Sequence, residues 1–182
     1  MHIKLRHHAI ILVELLKKII KMIEIRQTIP NDLNEIWNII KAVITTGDTY
    51  VFDPNSSKEK MLDYWYAKDK HTYTALLDEK IAGTFLIKDN QPDLGSHVAN
   101  AAYMVSPNFA GKGIGKAMGE FSLKEAQRLG YRAMQFNIVV KSNEKAITLW
   151  CKLGFEIIGE IPAAFKHATN GFTNAYIMYR QL

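Results

Sequence analysis

A glycine-rich segment between a strand-like pattern and a helical pattern most constrains what this chain can fold into. It reads V-S-P-N-F-A-G-K-G-I-G-K-A-M-G over residues 105–119, with glycine at 111, 113 and 115. Glycine lets the backbone turn tightly and approach a ligand without an intervening Cβ. Exposed N–H groups at the start of the next helix, together with the helix dipole, suit a phosphate or pyrophosphate. The segment predicts a strand, a phosphate-binding turn and a helix, in that order.

Two common nucleotide-binding patterns do not fit this segment. A Walker A loop needs a glycine where Ala110 stands and a serine or threonine where Ala117 stands. A dinucleotide fingerprint needs a third glycine at Lys116 or at Met118, depending on the register. Neither nucleotide class is therefore indicated.

The hydrophobic patterning of residues 23–182 predicts one α+β domain with a mixed sheet. The length of 182 residues suits a single domain, and the 48% hydrophobic content is enough for a core. Alternating patterns predict strands and apolar stripes at helical spacing predict helices. The expected strands are 23–29, 72–77, 81–88, 97–105, 131–140, 155–160 and 172–180, and the expected helices are 33–44, 57–66, 114–129 and 143–153. A loop containing Pro162, His167 and Gly171 is expected between the last two strands.

The positive charge is concentrated in residues 1–22. This segment holds five basic residues and one acidic residue, a net +4 of the chain's +5. The nearly neutral remainder gives no electrostatic footprint for a nucleic acid. Apolar residues of the segment recur at helical spacing but are too interrupted to span a bilayer, which predicts an amphipathic extension outside the domain. The single cysteine excludes an intramolecular disulfide and fits a reducing, cytoplasmic setting.

Two motifs together resemble the GNAT superfamily of N-acetyltransferases. The first is AGKGIGKAM, and the second is N-x-x-A-x-x-L-W-x-x-L-G-F over residues 143–155. The resemblance covers residues 23–182. It implies the GNAT acyl-CoA acyltransferase fold, a central mixed, mostly antiparallel sheet of about seven strands flanked by helices. In that fold a parallel pair splays apart, here 97–105 and 131–140. The implied enzyme is an acetyl-CoA-dependent N-acetyltransferase without a metal.

The resemblance also implies where acetyl-CoA binds. In the family, amides of the glycine loop bind the pyrophosphate and the preceding strand pairs with the pantetheine arm. The corresponding residues here are Met104, Val105, Gly111, Lys112, Gly113, Ile114, Gly115, Lys116, Asn143 and Trp150. The family's usual arginine or glutamine at the start of the loop is Ala110, so one side-chain phosphate contact is absent.

The sequence identifies the acetyl-CoA loop more clearly than the groups that would transfer protons during the reaction. Family members often carry a tyrosine acid where Trp150 stands, and an indole N–H has no useful acidity. Trp150 is therefore expected to pack against the arm or the core, and adjacent Cys151 is not expected to form a covalent intermediate. Attack on a thioester needs a neutral amine, for which Tyr103, His97 and Glu144 are candidate bases. Each also fits an ordinary structural role.

Two asparagines, Asn100 and Asn137, occupy strand positions where apolar residues are the default. Their amides either pair with the backbone or face the splay and bind a polar acceptor. The surrounding sequence resembles the subgroup that acetylates small amino acids and analogues such as azetidine-2-carboxylate. In that subgroup such asparagines hold the substrate carboxylate, and the residue equivalent to Asn143 lies by the reacting carbonyl. Residues 47–52, which include Tyr50 and Phe52, and residues 64–66 would form an apolar and aromatic lid.

The expected function is transfer of an acetyl group from acetyl-CoA to the amine of a small molecule, an amino acid or an analogue. A protein N-terminal or lysine acetyltransferase and a non-catalytic acyl-CoA-binding sensor remain open as alternatives. Neither nucleic acid nor integral membrane association is expected. A homodimer stays open as the assembly.

Overall fold

The computed structural model describes residues 23–182, which form one seven-stranded sheet flanked by four helices. The predicted N-terminal extension, residues 1–22, lies outside the described residues. No helix within residues 23–182 is long and apolar enough to cross a membrane. The strands are β1 Ile23–Gln27, β2 His71–Leu77, β3 Lys80–Asp89, β4 Val98–Val105, β5 Ala133–Val140, β6 Glu156–His167 and β7 Gly171–Gln181; the helices are α1 Leu33–Ile44, α2 Lys58–Trp65, α3 Ile114–Arg128 and α4 Glu144–Lys152.

The sheet has the order β1-β2-β3-β4-β5-β7-β6, and only the β4–β5 pair is parallel. This confirms the predicted mixed, mostly antiparallel sheet. β4 and β5 pair at only two positions, Val98 with Ala133 and Ala99 with Met134. Beyond these positions β5 continues to pair with β7, while β4 continues to pair with β3. The two parallel strands therefore separate along most of their length.

The predicted loop around Pro162 and His167 is wrong. β6 continues through these residues, and the connection to β7 is only residues 168–170. β6 lies at the edge of the sheet, and its pairing with β7 shifts register between Ile161 and Phe165. An edge strand with a bulge accommodates a proline, which cannot donate to the ladder.

Two hydrophobic cores cover the two faces of the sheet. One contains α3 and α4, with Tyr73, Phe85 and Phe136 from the strands. The other contains α1 and α2, packed on Leu86 and Met104. The helices α3 and α4 approach closely because residue 119 is glycine; a Cβ there would lie 2.5 Å from Leu153 Cδ1.

The buried carboxylate of Asp32 fixes the start of α1 against the sheet. It accepts two hydrogen bonds from Arg26 of β1, at 2.6 and 2.9 Å. It also accepts one from the Ile29 N–H at 3.0 Å and one from the Thr74 hydroxyl of β2 at 3.1 Å. Hydrogen bonding to Arg26 is the main reason why the pKa of Asp32 is lowered.

Asp32→Asn should lower the free energy of unfolding by about 2 kcal/mol, because it removes the charge and one acceptor from a buried network. In a domain of this size that corresponds to a decrease in Tm of roughly 4–8 °C. Asp63→Asn, at an exposed position of α2, is the matched control and should change stability by less than about 0.5 kcal/mol.

The difference between wild type and Asp32→Asn should also depend on pH. The pKa of Asp32 is lowered in the folded state, so its contribution is complete above the ordinary aspartate value of about 3.9 and is lost as the pH falls below it. Thermal melts at neutral pH and near pH 3 test this. A difference that stays constant across this range would contradict the assigned role.

Candidate active site

The loop between β4 and α3 presents a row of unpaired backbone N–H groups. Gly111 and Gly113 have φ values of 74° and 82°, a left-handed conformation that glycine adopts without strain. The N–H groups of residues 113–116 form no hydrogen bond within residues 23–182, and the first helical bond runs from Ala117 N to Gly113 O at 3.0 Å. These donors lie at the positive end of the α3 dipole, an arrangement that suits the binding of an anion.

The space beside this loop is open to a ligand. A Cβ built on Gly111 would meet no atom within 4 Å, and one on Gly113 would meet only Ile23 Cδ1 at 4.0 Å. These two glycines are thus not required for packing within the described residues. The lysines at 112 and 116 are exposed and add positive charge. The donors and charges of this loop fit the pyrophosphate of acetyl-CoA.

A cavity of about 320 Å³ lies where β4 and β5 separate. It brings together the acceptor and catalytic residues predicted from the sequence with the aromatic residue of α4. The lining includes Tyr50, Phe52, Asn100, Tyr103, Asn137, Asn143 and Trp150, together with Tyr64 and Lys88.

The other residues predicted to bind acetyl-CoA lie outside this lining. Met104 is 1% exposed and its side chain packs in the core beneath α1 and α2. The half-buried side chain of Val105 packs against the opposite core. Any contact of these two residues with the pantetheine arm would be made by their backbone groups.

Tyr50 satisfies backbone groups of β4 where β5 has separated from it. Its hydroxyl donates to the Tyr103 carbonyl oxygen at 2.6 Å and accepts from the Tyr103 N–H at 2.9 Å. One side chain thus serves both backbone groups that β5 no longer reaches. Burial is the main reason why the pKa of Tyr50 is raised. The ring stacks on Phe52 with centroids 5.9 Å apart, and Phe52 meets Tyr64 edge-on at 5.2 Å, so three rings form one wall of the cavity.

The two strand asparagines are placed differently from each other. Asn100 is half-buried, and its Nδ2 donates to the Gln135 carbonyl oxygen at 2.9 Å. Asn137 is exposed, and its Nδ2 donates to Asn90 Oδ1 at 2.8 Å. The expected burial of Asn137 is therefore wrong: the residue lies in the part of β5 where pairing with β7 shifts register, between Phe136 and Val139.

Asn143 caps the N-terminus of α4 and faces the cavity. Its Oδ1 accepts from the Ala146 N–H at 3.2 Å, as an N-cap residue should. Its Nδ2 forms no hydrogen bond within the part of the chain that the structure describes. The cap therefore fixes the amide while leaving its donor group available at the cavity.

Tyr103 does not have the surroundings of a catalytic base. Its hydroxyl lies 2.6 Å from Ser122 Oγ, and Ser122 in turn donates to the Gly119 carbonyl oxygen at 2.8 Å. The tyrosine proton is thus committed to Ser122. Burial is the main reason why the pKa of Tyr103 is raised. This geometry disfavours the predicted catalytic role and gives the residue a place in the aromatic core.

Trp150 is an aromatic core residue with one surface at the cavity. It is 8% exposed, and its ring centroid lies 4.7 Å from those of both Tyr103 and Phe136. This agrees with the interpretation of Trp150 as a packing group. Neighbouring Cys151 is exposed and does not line the cavity.

Lys88 of β3 is the one charged side chain among the residues that line the cavity. The candidate bases His97 and Glu144 are exposed and do not line it. No cluster of three or more His, Cys, Asp or Glu side chains suited to a metal ion occurs within residues 23–182. Sequence analysis missed Lys88 because a lysine near a strand end is typical of a solvated position. Only the register, which places it opposite Asn100, reveals the association.

Comparison with known proteins identifies relatives of this chain. A family model described as the acetyltransferase (GNAT) family matches residues 34–155. The N-acetyltransferase aca1 of Schizosaccharomyces pombe is 30% identical over 162 residues, covering 80% of this chain and 78% of the relative.

Two solved structures are similar to this chain in fold. A GCN5-related N-acetyltransferase from Kribbella flavida has 34% identity and a TM-score of 0.84, covering 88% of this chain and 98% of its own. A phosphinothricin acetyltransferase from Sinorhizobium meliloti, solved in complex with acetyl-CoA, has 21% identity and a TM-score of 0.78, with 88% of each chain covered. The latter likeness concerns the fold alone.

Gly113→Asp should weaken acetyl-CoA binding a hundredfold or more, because it places a negative charge beside the anion-binding amides. Gly130→Asp is the matched control. Gly130 follows the other end of α3, has a φ of 92°, and a Cβ there would also meet no atom within 4 Å. Both variants carry similar backbone strain, but only one alters the loop. Equal acetyl-CoA affinities by calorimetry in the two folded variants would contradict the assignment.

Proposed function

Because this chain belongs to the GNAT family and is an N-acetyltransferase that uses acetyl-CoA, we propose that its acceptor is a small amino acid or amino-acid analogue. The observation that carries the proposal is the lining of the cavity between β4 and β5. Three asparagine amides and an aromatic wall surround it, and no carboxylate is among the lining residues. A volume of about 320 Å³ is at the small end for ligand pockets and suits a compact molecule better than a peptide.

The asparagines retain hydrogen-bonding capacity for an acceptor. An amide nitrogen carries two hydrogens, and each of Asn100 and Asn137 commits one of them to a protein oxygen. The second hydrogen of each is available to a carboxylate. Hydrogen bonds to a charged group contribute about 1.5–3 kcal/mol each, enough to favour an acid over its amide.

Acetyl transfer at this site needs few groups that titrate. The neutral amine attacks the thioester carbonyl, a C–N bond forms, and the C–S bond breaks to release CoA as a thiolate; the proton that the amine nitrogen loses passes to that thiolate or to solvent water. With a thiol pKa near the cysteine value of about 8.5, the thiolate is a tolerable leaving group without a protein acid. We assign the Nδ2 group of Asn143 to the carbonyl oxygen, where negative charge develops during attack.

A protein N-terminal or lysine acetyltransferase would need an open groove of acidic character for its acceptor. The lining of the cavity lacks an acidic side chain, and its charged member is a lysine. The small-molecule acceptor is therefore the better supported of the two. Peptides and polyamines belong in the activity panel as comparison acceptors.

Substitutions at Asn143 distinguish its role as the N-cap of α4 from its proposed role as hydrogen-bond donor to the acetyl carbonyl oxygen. Serine is as good an N-cap as asparagine, whereas alanine costs about 1 kcal/mol of stability. If the amide acts on the carbonyl oxygen, Asn143→Ser and Asn143→Ala should both lower kcat roughly a hundredfold, because alanine has no donor and the shorter serine side chain, whose oxygen is held at the cap, places none where Nδ2 stands. Thermal stability should fall only for Asn143→Ala. Recovery of wild-type kcat by Asn143→Ser would reduce Asn143 to a helix cap.

Asn100→Ala and Asn137→Ala should each raise the KM of the acceptor roughly ten- to hundredfold, with little change in the KM of acetyl-CoA. The measurement is CoA release with azetidine-2-carboxylate and common L-amino acids, each beside its carboxamide. Wild type should prefer the acid, and each variant should narrow that preference. Asn38→Ala, on the exposed side of α1 and outside the cavity, is the control. Equal use of acid and amide by wild type, or better use of peptides, would overturn the proposed acceptor.

A further inference from the structure

We infer that Lys88 binds the carboxylate of the acceptor and makes the enzyme selective for anionic acceptors. This inference rests on the proposed function, since it concerns the acceptor cavity of the same reaction. It adds a charged specificity determinant to the uncharged amides considered above.

The position of Lys88 supports this role. It lies on β3 directly opposite Asn100 of β4 in an antiparallel pair, so both side chains are on the same face of the sheet. Residues paired in this way have Cβ atoms about 4.5–5.5 Å apart. Both residues line the cavity. A carboxylate held by the amide of Asn100 would therefore lie within reach of a flexible ammonium group.

Within residues 23–182, Lys88 lacks the kind of partner that Lys70 and Lys141 have. Lys70 donates to the Tyr64 carbonyl oxygen at 2.6 Å and covers the Tyr64 ring, and Lys141 pairs with Glu160 at 2.8 Å. Lys88 is half-buried, yet it forms no salt bridge or side-chain hydrogen bond there. A partly desolvated cation is unfavourable until an anion joins it, and the cavity is where a substrate anion can do so.

A second ammonium group, that of Lys70, lies near Lys88 but outside the lining of the cavity. Burial is the main reason why the pKa of Lys70 is lowered; the nearby charge of Asp69 raises it and that of Lys88 lowers it. Lys70 therefore has a carboxylate beside it, whereas no carboxylate is among the residues that line the cavity with Lys88.

The chemistry of the acceptor matches this charge. An amino acid attacks in the form with a neutral amine and an ionised carboxylate, which has a net charge of −1. That form complements a cavity with one positive lining group. A polyamine or a lysine-bearing peptide would bring further positive charge beside Lys88 and is disfavoured. Lys88 thus distinguishes small amino acids from the basic acceptors that other enzymes of this reaction type could use.

The test compares wild type with Lys88→Met, Lys88→Gln and Lys88→Arg, using CoA release with azetidine-2-carboxylate and common L-amino acids, each beside its carboxamide. The Met and Gln variants should raise the KM for the acid ten- to hundredfold while the KM for the amide changes little. The Arg variant should retain most of the preference, because it keeps the charge. Lys124→Met, at an exposed position of α3, removes the same charge elsewhere and should behave as wild type.

The KM of acetyl-CoA serves as the folding control and should stay within about twofold in every variant, since the glycine loop lies at the other end of β4. If wild type prefers acids and both neutral variants keep that preference, Lys88 is not the carboxylate site, although the proposed function stands. Both the proposed function and the role of Lys88 fail if wild type acetylates amides, peptides or polyamines with a kcat/KM equal to or above that for the acids. They also fail if wild type acetylates none of the acids.

Discussion

The separation of β4 from β5 is the constraint on which the rest of the site depends. A strand that loses its neighbour leaves backbone groups that need other partners. The Asn100 side chain supplies one for Gln135, and the Tyr50 hydroxyl supplies two for Tyr103. The indole of Trp150 packs equally close to a ring of β4 and a ring of β5, and so occupies the space between the diverging strands. The polar side chains of Asn100 and Tyr50 and the aromatic packing of Trp150 together stabilise the separated parallel strands β4 and β5. The cavity is the space between these strands.

Much of the fold could be predicted because its signals are local. The apolar stripe of α1, the hairpin of β2 and β3, and the glycine loop before α3 each lie within one short segment, and the structure has them within a few residues of the expected bounds. The failures concern properties that depend on distant segments. A proline such as Pro162 predicts a loop, because it cannot donate a hydrogen bond within a sheet. Only the sheet order shows that its strand is an edge strand, where a proline is tolerated. The apolar residues around Asn137 predict that it is buried. Only the register of β5 against β7, which shifts at this position, shows that the strand is irregular there.

The same distinction applies to the candidate site. The residues that the family motifs place near the reaction, such as Asn143 and Trp150, do line one cavity. The motifs could not show which polar atoms are already engaged. Tyr50 and Tyr103 are 53 residues apart, and their mutual hydrogen bonds make the Tyr50 hydroxyl a structural group. The hydroxyl of Tyr103 is likewise committed, to Ser122. Lys88 gains its significance only from the register that sets it against Asn100.

β4 also sets the distance between the two proposed anion sites. The loop after Val105 presents free amides to a phosphate, and Asn100, near the other end of the strand, adjoins Lys88. Five residues of extended strand span about 17 Å at roughly 3.3 Å per residue. A donor whose phosphates bind at one end and an acceptor whose carboxylate binds at the other would meet between them, where Tyr103 and Asn143 border the cavity. This proposed arrangement keeps the phosphates and the carboxylate, which repel each other, at opposite ends of β4, and it leaves the neutral amine and the thioester to meet in the uncharged middle of the strand.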